Sequence, residues 1–195
     1  MSYFFPNWFQ YRKNGENRME KTVITKAVSE DIDSISELYD AVNTYFSDNV
    51  NYCFPNWQKG KYPVRRDALE ALQKDTLFVL KFSGKTEGSF ILDNKQHPEY
   101  RKIPWGIQCD DKEVMVMHTL VVNPSYRKKG LGEQMITYGI NYCRQAGAKT
   151  LRLDTHYKNV PARRLYEKCG FRSVTKWSAE IDGVNQEFDV FEYIL

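Results

Sequence analysis

Residues Glu113 to Gly147, EVMVMHTLVVNPSYRKKGLGEQMITYGINYCRQAG, constrain this chain more than any other stretch. Val114, Val116, Leu120 and Val122 alternate with Met115, Met117 and Val121, so a strand here is apolar on both faces, as in a sheet covered on both sides. Asn123-Pro124 ends it. Met135, Ile136, Gly139, Tyr142, Cys143 and Ala146 then recur at helical spacing, with Gly147 at the C-terminal cap. Between strand and helix lies Arg127-Lys128-Lys129-Gly130-Leu131-Gly132. Glycines let the backbone approach a ligand and leave successive N–H groups pointing outward. At the start of a helix those donors and the positive end of the helix dipole make an anion site, and three basic side chains beside it point to a phosphate-bearing ligand. Taken alone, such a turn also serves as a plain connector.

A second signature follows at Asn159-Val160-Pro161-Ala162-Arg163-Arg164-Leu165-Tyr166-Glu167-Lys168-Cys169-Gly170-Phe171. Together the two segments resemble the GNAT superfamily of acyl-CoA-dependent N-acetyltransferases. Arg127, Gly130 and Gly132 match that family's [Q/R]-x-x-G-x-[G/A] pyrophosphate loop, and Asn159, Ala162, Tyr166, Gly170 and Phe171 match its N-x-x-A-x-x-x-Y-x-x-x-G-F helix. The resemblance covers Glu113 to Phe171 closely and the chain from about Thr22 loosely. It implies an α/β fold of the α+β type, with a mixed, mostly antiparallel sheet of six to seven strands and helices on both faces.

The resemblance also implies acetyl-CoA as co-substrate, a primary amine on a small molecule or peptide as acceptor, and direct attack in a ternary complex. The backbone from Lys128 to Gly132 would cradle the pyrophosphate beside Arg127, Lys128, Lys129 and Leu131, and the main chain at Leu120, Val121 and Val122 would pair with the pantetheine arm as an added strand. Asn159 either contacts the cofactor or starts the following helix; Arg163 and Arg164 either approach a phosphate or form a solvated face. Tyr166 holds the family's general-acid position, although Ala162, Leu165, Tyr166 and Cys169 also lie at core spacing. An acceptor amine with a pKa of about 10 arrives protonated, so a base is needed. His118, the one ionisable side chain within Val114 to Val122, suits that task by its ordinary titration range; a satisfied core histidine is the competing reading.

The 195 residues are expected to form a short extension, residues 1–18, and one domain, residues 19–195. A hydrophobic fraction of 42%, 27% charged residues and a net charge of +3 describe an ordinary globular chain. The basic residues cluster locally, which favours a discrete phosphate ligand over nucleic acid. Cys53, Cys109, Cys143 and Cys169 are widely spaced, so neither a metal cluster nor a disulfide framework is expected. No apolar run is long enough for a membrane span or a signal peptide, and a cytoplasmic location is the expectation.

Taken in order, Thr22 to Ala27 reads as a strand and Ser29 as the cap of a helix faced by Ile32, Ile35, Leu38 and Val42. From Asn43 to Val64 the pattern reads as a loop holding Tyr45, Phe46, Tyr52, Phe54, Trp57 and Tyr62. Arg65 to Lys74 is a helix with Ala68, Leu69 and Leu72 inward. Thr76 to Phe82 and Glu87 to Asp93 form a hairpin, Asn94 to Lys112 a loop, Thr150 to His156 a strand, and Phe171 to Ile181 and Gln186 to Ile194 a closing hairpin around Asp182-Gly183. Tyr52, Phe54, Trp57 and Trp105 are the candidate acceptor wall. The alternative, from another class, is a non-catalytic acyl-CoA-binding or regulatory module of the same fold. The family also allows a homodimer.

Overall fold

The computed structural model describes residues 21–48, 57–181 and 183–195. The elements follow in the expected order: β1 (Thr22–Lys26), α1 (Ile32–Asp48), α2 (Arg65–Gln73), β2 (Leu77–Phe82), β3 (Lys85–Asp93), β4 (Val114–Val122), α3 (Leu131–Gln145), β5 (Thr150–His156), α4 (Val160–Lys168), β6 (Arg172–Ile181) and β7 (Val184–Ile194). They form one seven-stranded sheet in the order β1-β2-β3-β4-β5-β7-β6. Every neighbouring pair is antiparallel except β4 with β5.

Strand composition sets the layers. Along β2, Phe78 and Leu80 join the core under α3 and α4, whereas Leu77 and Val79 join the core under α1 and α2. This two-sided burial is why β2 and β4 each open on a continuous apolar run, Leu77 to Leu80 and Val114 to Met117. A third cluster of Tyr100, Ile103, Trp105, Val114, Val116 and Val190 lies beneath the β3–β4 connection. Gly139 permits α3 to sit close to β4: a Cβ there would stand 2.4 Å from Met117 Cε.

Three local readings are corrected. Helix α1 continues through Asn43 to Asp48, so Tyr45 and Phe46 belong to its last turns rather than to a loop. Buried Asn43 donates from Nδ2 to the Pro63 carbonyl (3.1 Å), a partner distant in sequence. At the other end Ser29 opens a short 3-10 turn, and it is the buried Asp31 that accepts from Val28 N (3.0 Å) and pairs with Lys81 (2.6 Å). In α2, Ala68 and Ala71 face inward and Leu69 is 37% exposed, because the helix packs close enough to need small side chains. The extension 1–18, Tyr52 and Phe54 lie outside the described residues. Among those described, no helix is long and apolar enough to cross a membrane.

Candidate active site

Two departures from regular sheet geometry create the site. Strands β4 and β5 pair only at Val114–Thr150, Met115–Leu151 and Val116–Arg152. Beyond Val116 they splay, leaving edge groups of β4 without a strand partner on that side. Within β4, Thr119 has φ 49°, and three steps from His118 to Val121 oppose two steps from Ile91 to Ser89. The extra residue is a β-bulge, which bends the strand and re-aims the side chains that follow it. Tyr62 hydroxyl and Thr119 Oγ1 share a hydrogen bond, which holds the segment before α2 across the bulge.

The splay opens a cleft of about 1610 Å³ lined from β4, β5, α1, α3 and α4. That exceeds the roughly 300–1,000 Å³ of an ordinary small-molecule pocket and leaves room for two ligands together. One end is basic. Gly130 has φ 80° and caps α3, with nothing within 4 Å of its absent side chain. Lys128 takes a left-handed conformation as well, φ 61°. The first turn of α3 presents N–H groups that have no intrahelical acceptor. Gly132 brings α3 against α4, since a Cβ would meet Leu165 Cδ2 at 2.9 Å. Arg127, Lys128, Lys129, Gly130, Leu131 and Gly132 all line this end, as predicted together. Arg127 is held by the Tyr45 hydroxyl and ring from α1, and Lys129 lies over Tyr126 (4.5 Å).

Other predicted residues divide. Leu120 and Val122 line the cleft, whereas the Val121 side chain is buried under α1 and α2. Asn159 caps α4: Oδ1 accepts from Ala162 N (3.3 Å) and Nδ2 donates to Thr155 Oγ1 (3.1 Å), so both ends of its amide are engaged while it borders the cleft. Arg163 turns away to pair with buried Asp189 (2.8 Å), and Arg164 lines the cleft in its place. Trp57 lines the cleft. Trp105 does not; it is 9% exposed, donates from Nε1 to the Tyr100 carbonyl (2.7 Å) and lies under the Arg152 guanidinium (4.1 Å).

Tyr166 is both packed in the core and placed at the cleft. Its ring is buried against Phe171 and Phe191 (centroids 6.1 and 5.4 Å). Its hydroxyl has no hydrogen-bond partner among the described residues, and the side chain borders the cleft. Burial holds the phenol above its usual range, with the charge of Asp154 adding to the effect, so it stays protonated and able to donate. His118 is partly exposed in the cleft with Nε2 3.2 Å from Asp93 Oδ1. Burial acts to raise the Asp93 carboxyl, but the His118 hydrogen bond and the Lys95 N–H outweigh it and leave it below the usual carboxylate range.

Asp154, Tyr100, His97 and Trp177 border the same cleft and were not among the predicted residues. Asp154 stands in a strand that reads Thr-Leu-Arg-Leu-Asp-Thr-His, where polar and charged residues alternate with leucine, so nothing local marks it out. Tyr100 and His97 reach the site only because Arg152 straps the β3–β4 connection down. Its Nε donates to Glu192 Oε1 (3.2 Å), Nη1 to Gln96 Oε1 (2.7 Å) and Nη2 to the Ile107 carbonyl (3.2 Å).

The sequence pattern of the acetyltransferase (GNAT) family matches residues 35–171. The chain belongs to this family. It is 26% identical over 157 residues to an uncharacterised N-acetyltransferase of Methanocaldococcus jannaschii, a match covering 80% of this chain and 62% of that relative. The chain thus spans less than two thirds of the length of the curated relatives it matches, 62% here and 55% for one from Bacillus subtilis. In fold it is similar to a GNAT-family acetyltransferase of Streptococcus agalactiae, with a TM-score of 0.73, 20% identity and coverage of 90% of this chain and 96% of that one. A second neighbour in fold is a protein of Salmonella typhimurium described as a putative acetyltransferase with its cofactor acetyl-CoA, with a TM-score of 0.64, 14% identity and coverage of 89% of this chain and 93% of that one.

Proposed function

We propose that this GNAT protein transfers an acetyl group from acetyl-CoA to a primary amine by direct attack, with both substrates in the cleft at once. The observation that supports it is the single opening that joins a basic, glycine-bounded helix start to His118 and Tyr166. The fit to acetyl-CoA rests on this chain's own features. Gly130 leaves open space at the cap of α3, Arg127, Lys128, Lys129 and Arg164 supply positive charge, and β4 from Leu120 to Val122 offers backbone groups on its splayed side. Bound there, acetyl-CoA would supply an activated thioester carbonyl.

The remaining steps belong to the protein. His118, oriented by Asp93, takes the proton that an ammonium must lose before its nitrogen attacks. Enclosure in one cleft replaces a bimolecular encounter by an oriented one. As the C–S bond breaks Tyr166 gives its hydroxyl proton to the departing sulfur, and the second proton shed by the nitrogen as the amide forms restores the phenol; burial keeps the hydroxyl protonated until then. An acyl-enzyme on Cys143 or Cys169 is disfavoured: burial pushes the Cys143 thiol up to about 12 and the Cys169 thiol up to about 11, so neither is a thiolate at neutral pH. The regulatory alternative shares the basic end but has no use for an unpartnered phenol facing the cleft.

Release of free thiol from acetyl-CoA, followed with a panel of primary amines, tests the proposal. Amine-dependent release with recovery of the N-acetylated amine is the expected result. Saturable acetyl-CoA binding without transfer to any amine would favour the regulatory reading instead.

A further inference from the structure

Asp154 carries an inference that deepens the transfer reading and rests on it. One oxygen of this carboxylate, Oδ2, accepts from the Tyr100 hydroxyl (2.7 Å). The other has no hydrogen bond among the described residues, and the side chain lines the cleft. Trp177 Nε1 approaches the same carboxyl without meeting hydrogen-bond geometry and is otherwise unpartnered. Burial raises the Asp154 carboxyl above its usual range, with the Tyr100 hydrogen bond and the charges of His118 and His97 opposing that shift only in part. A carboxyl placed like this is held in its charged form by a bound cation, which offsets the cost of burial. The arginine two residues before it cannot supply one, because Arg152 is engaged by Glu192.

The walls fit an organic cation rather than a metal ion. Trp177 meets Tyr100 edge to face (6.0 Å) and stacks on Phe188 (5.2 Å), and His97 lies 4.6 Å from Trp177, all beside the carboxylate. Aromatic faces attract ammonium groups and cover an apolar body at the same time. His118 and Tyr166, the two groups assigned to the chemistry, line the same cleft as Asp154.

We propose that Asp154 seats the ammonium of the acceptor in the cleft beside Tyr100 and Trp177, so that the cleft selects a primary amine on an apolar body with no carboxylate beside the amino group. Seating and deprotonation are separate tasks: Asp154 gathers the cation, the abundant form at neutral pH, and His118 takes its proton. A neighbouring carboxylate on the acceptor would be repelled by Asp154.

The test is equilibrium binding of 2-phenylethylamine and L-phenylalanine to the full chain with CoA present, in the wild type, Asp154→Asn and Asp154→Glu. The amine should bind at least about ten-fold more tightly than the amino acid. Asp154→Asn should erase that preference while leaving CoA affinity unchanged, and Asp154→Glu should restore part of it. Asparagine still accepts from Tyr100, so the wall is retained. Equal binding of the two probes to the wild type, or equal amine binding in wild type and Asp154→Asn, would overturn the proposal and leave acetyl transfer standing. Absence of CoA binding by the wild type would instead bring down the transfer reading and this inference with it.

Discussion

Replacing Tyr166 by phenylalanine removes one hydroxyl and nothing else, and the surroundings of that hydroxyl fix what should follow. The ring is 7% exposed and packed against Phe171 and Phe191, contacts that phenylalanine keeps. No protein hydrogen bond among the described residues is lost, so stability should change by less than about 0.5 kcal/mol. Turnover should respond on another scale. Proton donation by a positioned side chain contributes about 10²–10⁴-fold, or about 2.7–5.5 kcal/mol in the barrier. Thermal unfolding, the shift produced by acetyl-CoA, and initial rates of thiol release at saturating acceptor would be measured on the same preparations. The expected pattern is an unchanged melting temperature, an unchanged acetyl-CoA shift and a turnover lower by at least about a hundred-fold. A rate within about three-fold of wild type would refute the reasoning, because so small an effect lies far below that range.

Two further predictions concern groups that set the site's shape and charge. Glu192 is 2% exposed and accepts from Arg152 Nε (3.2 Å), Thr150 Oγ1 (3.2 Å) and Gly106 N (2.6 Å). Glu192→Gln leaves Arg152 buried without its counter-charge and should cost about 3–5 kcal/mol, read as a lower denaturant midpoint; a loss under about 1 kcal/mol would mean that the strap holding Tyr100 and His97 rests on packing instead. Asp154, with its carboxyl raised in the folded state, makes the wild type lose stability as pH climbs above the ordinary carboxylate value of about 3.9. Asp154→Asn lacks that loss, so its stability relative to wild type should rise as pH climbs from the ordinary carboxylate value of about 3.9; a relative fall over the same climb would contradict the assignment.

What the sequence makes legible follows the reach of its periodicities. Strand β4, the Arg127–Gly132 turn and α3 are specified by neighbours within a few residues, and they form as read. The end of α1 is not specified locally: its polar stretch stays helical because Asn43 finds Pro63 and Tyr45 finds Arg127. The bulge at Thr119 carries no glycine to announce it; it arises where β4 must pair with β3 and yet part from β5. Trp105 reads as a pocket aromatic by composition, but Arg152 and Tyr100 claim it from either side. Arg163 and Arg164 are adjacent on one helix, and only the position of Asp189 on β7 decides which of them turns from the cleft. Asp154 becomes visible as a candidate once the splay sets β5 opposite His118. Each of these outcomes depends on partners supplied by distant segments, which local pattern cannot carry.

The measurement that reaches the central claim most directly is thermal unfolding with and without acetyl-CoA, in the wild type and in a Lys128→Glu, Lys129→Glu variant. These reversals change the charge at the cap of α3 without introducing a side chain where glycine is required. Acetyl-CoA at about a hundred times its dissociation constant should stabilise the wild type by about 2.7 kcal/mol. For a chain of this size that corresponds to a rise of about 5–11 °C in Tm. The account predicts that rise in the wild type and its loss in the variant. No rise in the wild type, or an equal rise in both, would contradict the placement of the cofactor at this end of the cleft.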